Sequence, residues 1–277
     1  MTTAVEPREH TVEANGLRFR YVEWGEPGAP PMVLLHGLSS TCRIWDAVAR
    51  AFQDRYHILA PDQRGHGETS WPEAADYTTD DYVADLEALV DGWGLDRFAL
   101  VGLSMGGMNA IAYAARHPDR VTHVVPIDIP PKIAREKRPS LEIEKHISEH
   151  GHPIVDTHDA QLMLVRLSNK TTPEPALRHR LSHLLKQLPD GKWQYKHDPR
   201  VSYYWEPSDL WEELPNVQAP VLIVRGGKSE VVRDTTAERM LAEFPNAELV
   251  TIEPSGHTVP EDAPEEFIAA LDSFLSR

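Results

Sequence analysis

Residues 99–118 read ALVGLSMGGMNAIAYAARHP: an apolar run ends at a glycine, a serine follows close behind, and a small-residue run continues. Phe98 to Gly102 is a short, continuous apolar stretch suited to a strand buried on both faces. Met105 to Arg116 has the Ala-rich composition of a helix. Between them lies Gly102-Leu103-Ser104-Met105-Gly106, a G-x-S-x-G pattern. Serine packs poorly in either neighbour, so its position needs another reason. A sharp strand-to-helix turn requires flanking residues without Cβ atoms, and it lifts the serine oxygen to the carboxyl edge of the sheet. Ser104 is therefore the candidate nucleophile.

On either side of this hinge the chain alternates short apolar strands with helical patterns. PMVLLHG precedes Trp45 to Phe52, YHILAPD precedes Thr79 to Trp93, and VTHVVPID follows the hinge helix. Such alternation builds a parallel sheet covered by helices on both faces. At the start, Asn15-Gly16 separates REHTVEA from LRFRYVEW, and Asn-Gly supplies the positive φ of a two-residue hairpin turn. From Pro130 to Pro215 the rhythm stops and polar helical patterns take over, which predicts a helical cap inserted into the sheet domain. The rhythm resumes with APVLIVRGG, a helix over Thr235 to Phe244, AELVTIEPSGH and a last helix. There Phe267, Ile268, Leu271, Phe274 and Leu275 form one apolar stripe. The expected domains are a core over residues 1–131 and 216–277 and a cap over 132–215.

The 277 residues, 41% hydrophobic and 26% charged, suffice for a sizeable core. A net charge of −15 disfavours nucleic acid and anionic membranes as partners. The single cysteine, Cys42, allows no intrachain disulfide. With no signal-peptide pattern and no apolar run of membrane-spanning length, a cytoplasmic protein is expected.

A serine hydroxyl is a weak nucleophile until a neighbouring base takes its proton, and neutral histidine does this near physiological pH. His257, in EPSGHTVPEDAPEEF after the last strand pattern, fits the chain order serine, acid, histidine. At HGLSS, His36-Gly37 ends a buried strand, so the Leu38 amide can face the serine. Together with the Met105 amide at a helix N-terminus it forms a candidate oxyanion hole. His36 itself is read as a brace for that turn.

The segments HGLSS, DQRGHGETS, GLSMGG, HPDRV and SGHTVPEDAPEEF together resemble the α/β-hydrolase fold family, over roughly residues 15–277. The resemblance implies a mostly parallel eight-stranded sheet with helices on both faces and a helical cap insertion. It also implies that Asp62, Arg64, Gly65 and Gly67 form a structural turn near the pocket. Epoxide hydrolases and haloalkane dehalogenases of this family use an aspartate nucleophile, and Ser104 argues against both. Most members carry the acid after the seventh strand in a G-x-x-D turn. Here Gly226-Gly227-Lys228-Ser229 puts serine in that slot, with Glu230 one residue late. A minority place it after the sixth strand, where Asp128 lies. Asp128 is the favoured acid, Glu230 the alternative.

Three further features bear on function. HISEHGH holds His146, His150 and His152, and His179 and His183 are four apart, a metal-compatible spacing. No cysteine or carboxylate signature completes either set, so neither metal nor cofactor is expected. Trp193, Tyr203, Tyr204 and Trp205 are candidates for a substrate-pocket wall or for the cap's own core. The expected function is hydrolysis of a small-molecule ester, lactone or similar acyl bond through an acyl-enzyme. The alternatives are a carbon-carbon bond hydrolase, a cofactor-free oxygenase, or a ligand receptor with vestigial hydrolysis.

Overall fold

Asn15 and Gly16 take φ values of 45° and 75°, and between them the chain reverses from β1 (Arg8–Ala14) into β2 (Leu17–Trp24) as an antiparallel hairpin. This is a computed structural model, and it describes residues 6–134 and 139–277. The sheet continues with β3 (Pro31–Leu35), β4 (His57–Pro61), β5 (Phe98–Leu103) and β6 (Val121–Ile127). Two short strands, β7 (Leu185–Gln187) and β8 (Trp193–Tyr195), form a separate hairpin, and β9 (Val221–Gly226) and β10 (Ala247–Ile252) return to the main sheet. Its eight strands run in the order β1-β2-β4-β3-β5-β6-β9-β10. Only β2 is antiparallel to its neighbours; every other adjacent pair is parallel.

The period-2 alternation of strand side chains divides the core in two. Val33, Leu35, Phe98 and Leu100 face one side, against α2 (Thr79–Gly92) and α3 (Met105–Arg116). Met32, Leu34, Ala99 and Val101 face the other, against α1 (Asp46–Phe52) and the C-terminal helix. Within α2 the Thr78 hydroxyl and the Asp81 carboxylate form a reciprocal capping box, which fixes where that helix begins.

The segment between β6 and β9 contributes α4 (Leu141–His150), α5 (His158–Ser168), α6 (Glu174–Leu184) and α7 (Val201–Tyr204). The chain then adds α8 (Asp234–Glu243), α9 (Val259–Asp262) and α10 (Pro264–Leu275). Along α10 Phe267, Leu271, Phe274 and Leu275 are buried, so the predicted stripe faces the sheet. The sequence predicts a helical insertion, and the structure departs from that by adding the β7–β8 hairpin. Asp190-Gly191, with Gly191 at φ 84°, is the turn signal that interrupts the helical pattern. Leu162, Leu177, Leu181 and Leu185 give the insertion a small apolar centre of its own, with Trp193 and Tyr195 packed on it. Among the described residues no helix is long and apolar enough to cross a membrane.

Candidate active site

Ser104 stands between β5 and α3 with φ 53° and ψ −119°, a backbone state that a residue with a side chain rarely adopts. The surroundings enforce it. The Ser104 amide donates to the Ile127 carbonyl at 2.9 Å, and its own carbonyl accepts from Gly107 and Met108 at 2.8 and 3.1 Å. A Cβ on Gly102 would lie 2.2 Å from the Gly106 carbonyl oxygen, and one on Gly106 would lie 2.3 Å from that of Leu35. Both flanking positions are thus closed to any side chain. The first backbone amides of a helix lack intrahelical acceptors. Gly107 and Met108 donate to the Ser104 carbonyl, which starts α3 directly after the serine, with Met105 as its first residue.

Asp128 follows β6 directly, with φ 48° and its side chain fully buried. His257 Nδ1 donates to Asp128 Oδ2 at 2.7 Å, across a sequence separation of 129 residues. Ser229 Oγ donates to the same oxygen at 2.5 Å, and the Gly226 amide donates to Oδ1 at 3.2 Å. Three donors from the ends of β9 and β10 therefore converge on one carboxylate. Since the carboxylate only accepts, the proton sits on Nδ1 and the Nε2 lone pair is free. Glu230 is exposed, whereas Ser229, in the slot where an acid is usual, supports Asp128.

Leu38 and Ser104 line the same cleft, together with His257. Two histidines shape the loop that carries Leu38. His36 is fully buried, held through Nδ1 to the Gly37 carbonyl at 2.8 Å and through Nε2 by the Gln63 amide at 2.9 Å. Burial pushes its imidazole down to about 4, so it stays neutral, and with both nitrogens engaged it cannot act as a base. His66 Nε2 accepts from the Ser39 amide at 3.0 Å, and burial beside His36 pushes it down to about 3. Nothing in the sequence pattern marked His66 as a second brace, although it lies within DQRGHGETS. In that same turn Asp62 accepts from the Cys42 and Glu68 amides, and Arg64 pairs with Asp85 at 2.5 and 2.7 Å.

A model of the alpha/beta hydrolase fold matches residues 30–264. The chain belongs to the α/β-hydrolase fold family. It is 30% identical over 260 residues to Esterase Rv0045c of Mycobacterium tuberculosis, covering 92% of this chain and 85% of that protein. Epoxide hydrolase A of the same organism is 28% identical over 316 residues, covering 98% of both. Among solved structures, E-2-(acetamidomethylene)succinate hydrolase superposes with a TM-score of 0.88 at 26% identity, covering 98% of this chain and 100% of that one.

As in other α/β-hydrolases, the cleft opens at the carboxyl edge of the sheet. It has a volume of about 410 Å³ and lies between the core and the insertion. From the insertion come Ile147, Val165, Arg180, Leu184, Tyr195 and His197. The four aromatics expected at the pocket do not line it. Trp205 is buried in the main core beside Leu210 and Leu214, and Trp193 packs on the insertion's own leucines. Tyr203 and Tyr204 stack edge to face, with Tyr204 exposed. The short α7 turns its side chains through about 100° per residue, so adjacent aromatics cannot share one wall. Tyr195, two residues beyond Trp193 in β8, reaches the cleft instead.

The insertion is fastened to the loop that bears His257. Asp262 Oδ2 accepts from the Gly256 amide and from Thr171 Oγ1, both at 2.7 Å, and its Oδ1 accepts from Thr172 Oγ1 at 2.5 Å. Next to it Glu261 pairs with Arg180 of α6. Thr171 lies so close that a Cβ on Gly256 would be 2.5 Å from its hydroxyl. Asp262→Asn replaces one acceptor with a donor facing these donors. It should lower stability by about 1–3 kcal/mol and kcat by up to about tenfold through displacement of His257. Urea unfolding and ester kinetics check both, and an unchanged kcat would mean that the clasp holds only the insertion.

Proposed function

We propose that the protein is a serine hydrolase that cleaves a small-molecule ester, lactone or related acyl bond through an acyl-enzyme. The observation that carries this reading is the His257 Nδ1 to Asp128 Oδ2 hydrogen bond, which leaves Nε2 without a proton in a cleft shared with Ser104. In the first step Ser104 Oγ attacks the acyl carbon while His257 Nε2 takes its proton, and the carbonyl π electrons move onto oxygen. The Leu38 and Met105 amides donate to that oxyanion, each contribution being worth about 3 kcal/mol in comparable sites. Collapse expels the alkoxide, which takes the proton from His257. Water then repeats the sequence, with His257 as base, and releases the acid and free Ser104. Asp128 holds the imidazole in the productive tautomer and offsets its transient positive charge.

In this reading the core spans residues 1–131 and 216–277, and residues 132–215 act as a cap that closes the acyl site. A cleft of about 410 Å³ lies near the lower end of the range for small-molecule sites. Short acyl groups should therefore be preferred. Across aryl esters of graded length, kcat/KM is expected to fall at least about tenfold from butyryl to dodecanoyl. A series rising with chain length would overturn the size argument. Lactones and β-diketones in the same screen separate ester cleavage from carbon-carbon bond cleavage.

A further inference from the structure

On α6, His179 and His183 stand one helical turn apart, with ring centroids separated by 4.8 Å. Sequence spacing alone offered no third ligand for this pair. The fold supplies one, because Asp46 at the start of α1 meets α6. One ligand atom from each of the three residues lies within 4.8 Å of the other two. Asp46 Oδ2 is 3.0 Å from His179 Nε2, an ion-pair contact that already joins α6 to α1 and raises the pKa of the imidazole.

We propose that Asp46, His179 and His183 form a site for a transition-metal dication of the Zn²⁺ type, which pins α6 to α1. Two imidazoles and one carboxylate suit Zn²⁺, Co²⁺ or Ni²⁺, whereas Ca²⁺ and Mg²⁺ take oxygen ligands. The donors must draw in to about 2.0–2.2 Å from the ion, with water completing the tetrahedron. The half-exposed imidazole of His179 has room to make that adjustment. Two arginines compete for the carboxylate: Arg43 has Nε at 3.0 and 2.9 Å from its two oxygens and Nη2 at 2.8 Å from Oδ2, and Arg50 Nη2 is 3.9 Å from Oδ2. The Arg43 guanidinium also pairs with Glu6 at 3.0 Å and with Glu9 at 3.4 Å. A metal must displace Arg43 Nε and Nη2 from Oδ2, after which Arg43 stays paired through Oδ1 and two glutamates and orients the ligand from behind. Neighbouring positions on the same helix, Arg180 and Leu184, line the cleft, so the metal would fix one wall of it.

The test uses full-length protein stripped with EDTA and dialysed. Calorimetric titration with ZnCl₂ is expected to give one ion per chain, with a rise in Tm of about 3 °C at saturation. His179→Gln and His183→Gln should each weaken binding at least about tenfold, while His146→Gln leaves it unchanged. Binding that survives both α6 variants, or that fails in the wild-type protein, overturns the proposal. Co²⁺ gives a second readout on the unmutated chain. Visible d–d absorption that EDTA removes supports an imidazole-bound site, and its absence overturns it.

Discussion

Ser104→Ala is expected to lower kcat toward an aryl ester by at least about four orders of magnitude, since removal of the nucleophile in a serine protease costs about six. The remaining rate would come from the oxyanion donors and from substrate binding. Fold and stability should change little, because Ser104 is held by its backbone: Ile127 accepts its amide, and Gly107 and Met108 donate to its carbonyl. Alanine occupies the same strained φ and ψ with a Cβ no larger than that of serine. Thermal unfolding should thus move by less than about 1 kcal/mol. An organophosphonate probe gives a chemical check independent of turnover. It should add one covalent mass to the wild-type protein and none to the variant, and labelling that persists in Ser104→Ala would remove the assignment.

The parts of this molecule that were legible in the sequence are those whose cause is local. Asn15-Gly16 can adopt two consecutive positive φ values, so the hairpin follows from two residues. The turn at Ser104 follows from Gly102 and Gly106, whose missing Cβ atoms leave room for the carbonyls of Gly106 and Leu35. The insertion was legible as an interruption of rhythm, but its hairpin was not, because three-residue strands carry too little alternation to stand out beside helices. What stayed hidden joins distant segments. Thr171 and Asp262 are separated by 91 positions, and no periodicity links them. Trp193 and Tyr195 share one face of β8 and both pack on the insertion's leucines, and only their place along that short strand decides which reaches the cleft. Asp46 and the α6 histidines meet through the docking of the insertion on the core, a contact that neither segment announces.

The choice between Asp128 and Glu230 was open in the sequence because adjacent strands end only about 5 Å apart, so an acid after either could approach His257. Hydrogen bonding now separates the two. Asp128 Oδ2 takes His257 Nδ1 and Ser229 Oγ, Oδ1 takes the Gly226 amide, and the carboxylate is closed to water. An asparagine at this position has only one acceptor oxygen for three donors. If its oxygen stays on Gly226, its amide faces His257, and the ring must carry its proton on Nε2, where the Ser104 proton has to go. If the amide flips, two N–H groups face each other at the Gly226 contact, 3.2 Å apart, in a site without water. Either arrangement impairs proton transfer or costs about 1–3 kcal/mol in an unmet donor. In a serine protease the equivalent change lowers kcat by about four orders of magnitude. Asp128→Asn should therefore reduce kcat at least about a hundredfold, with KM altered far less. Glu230→Gln changes an exposed side chain in a polar loop and should reduce kcat by less than about tenfold. The reverse ordering would transfer the orienting role to Glu230 and leave Asp128 as a buried turn residue that ties β6 to β9.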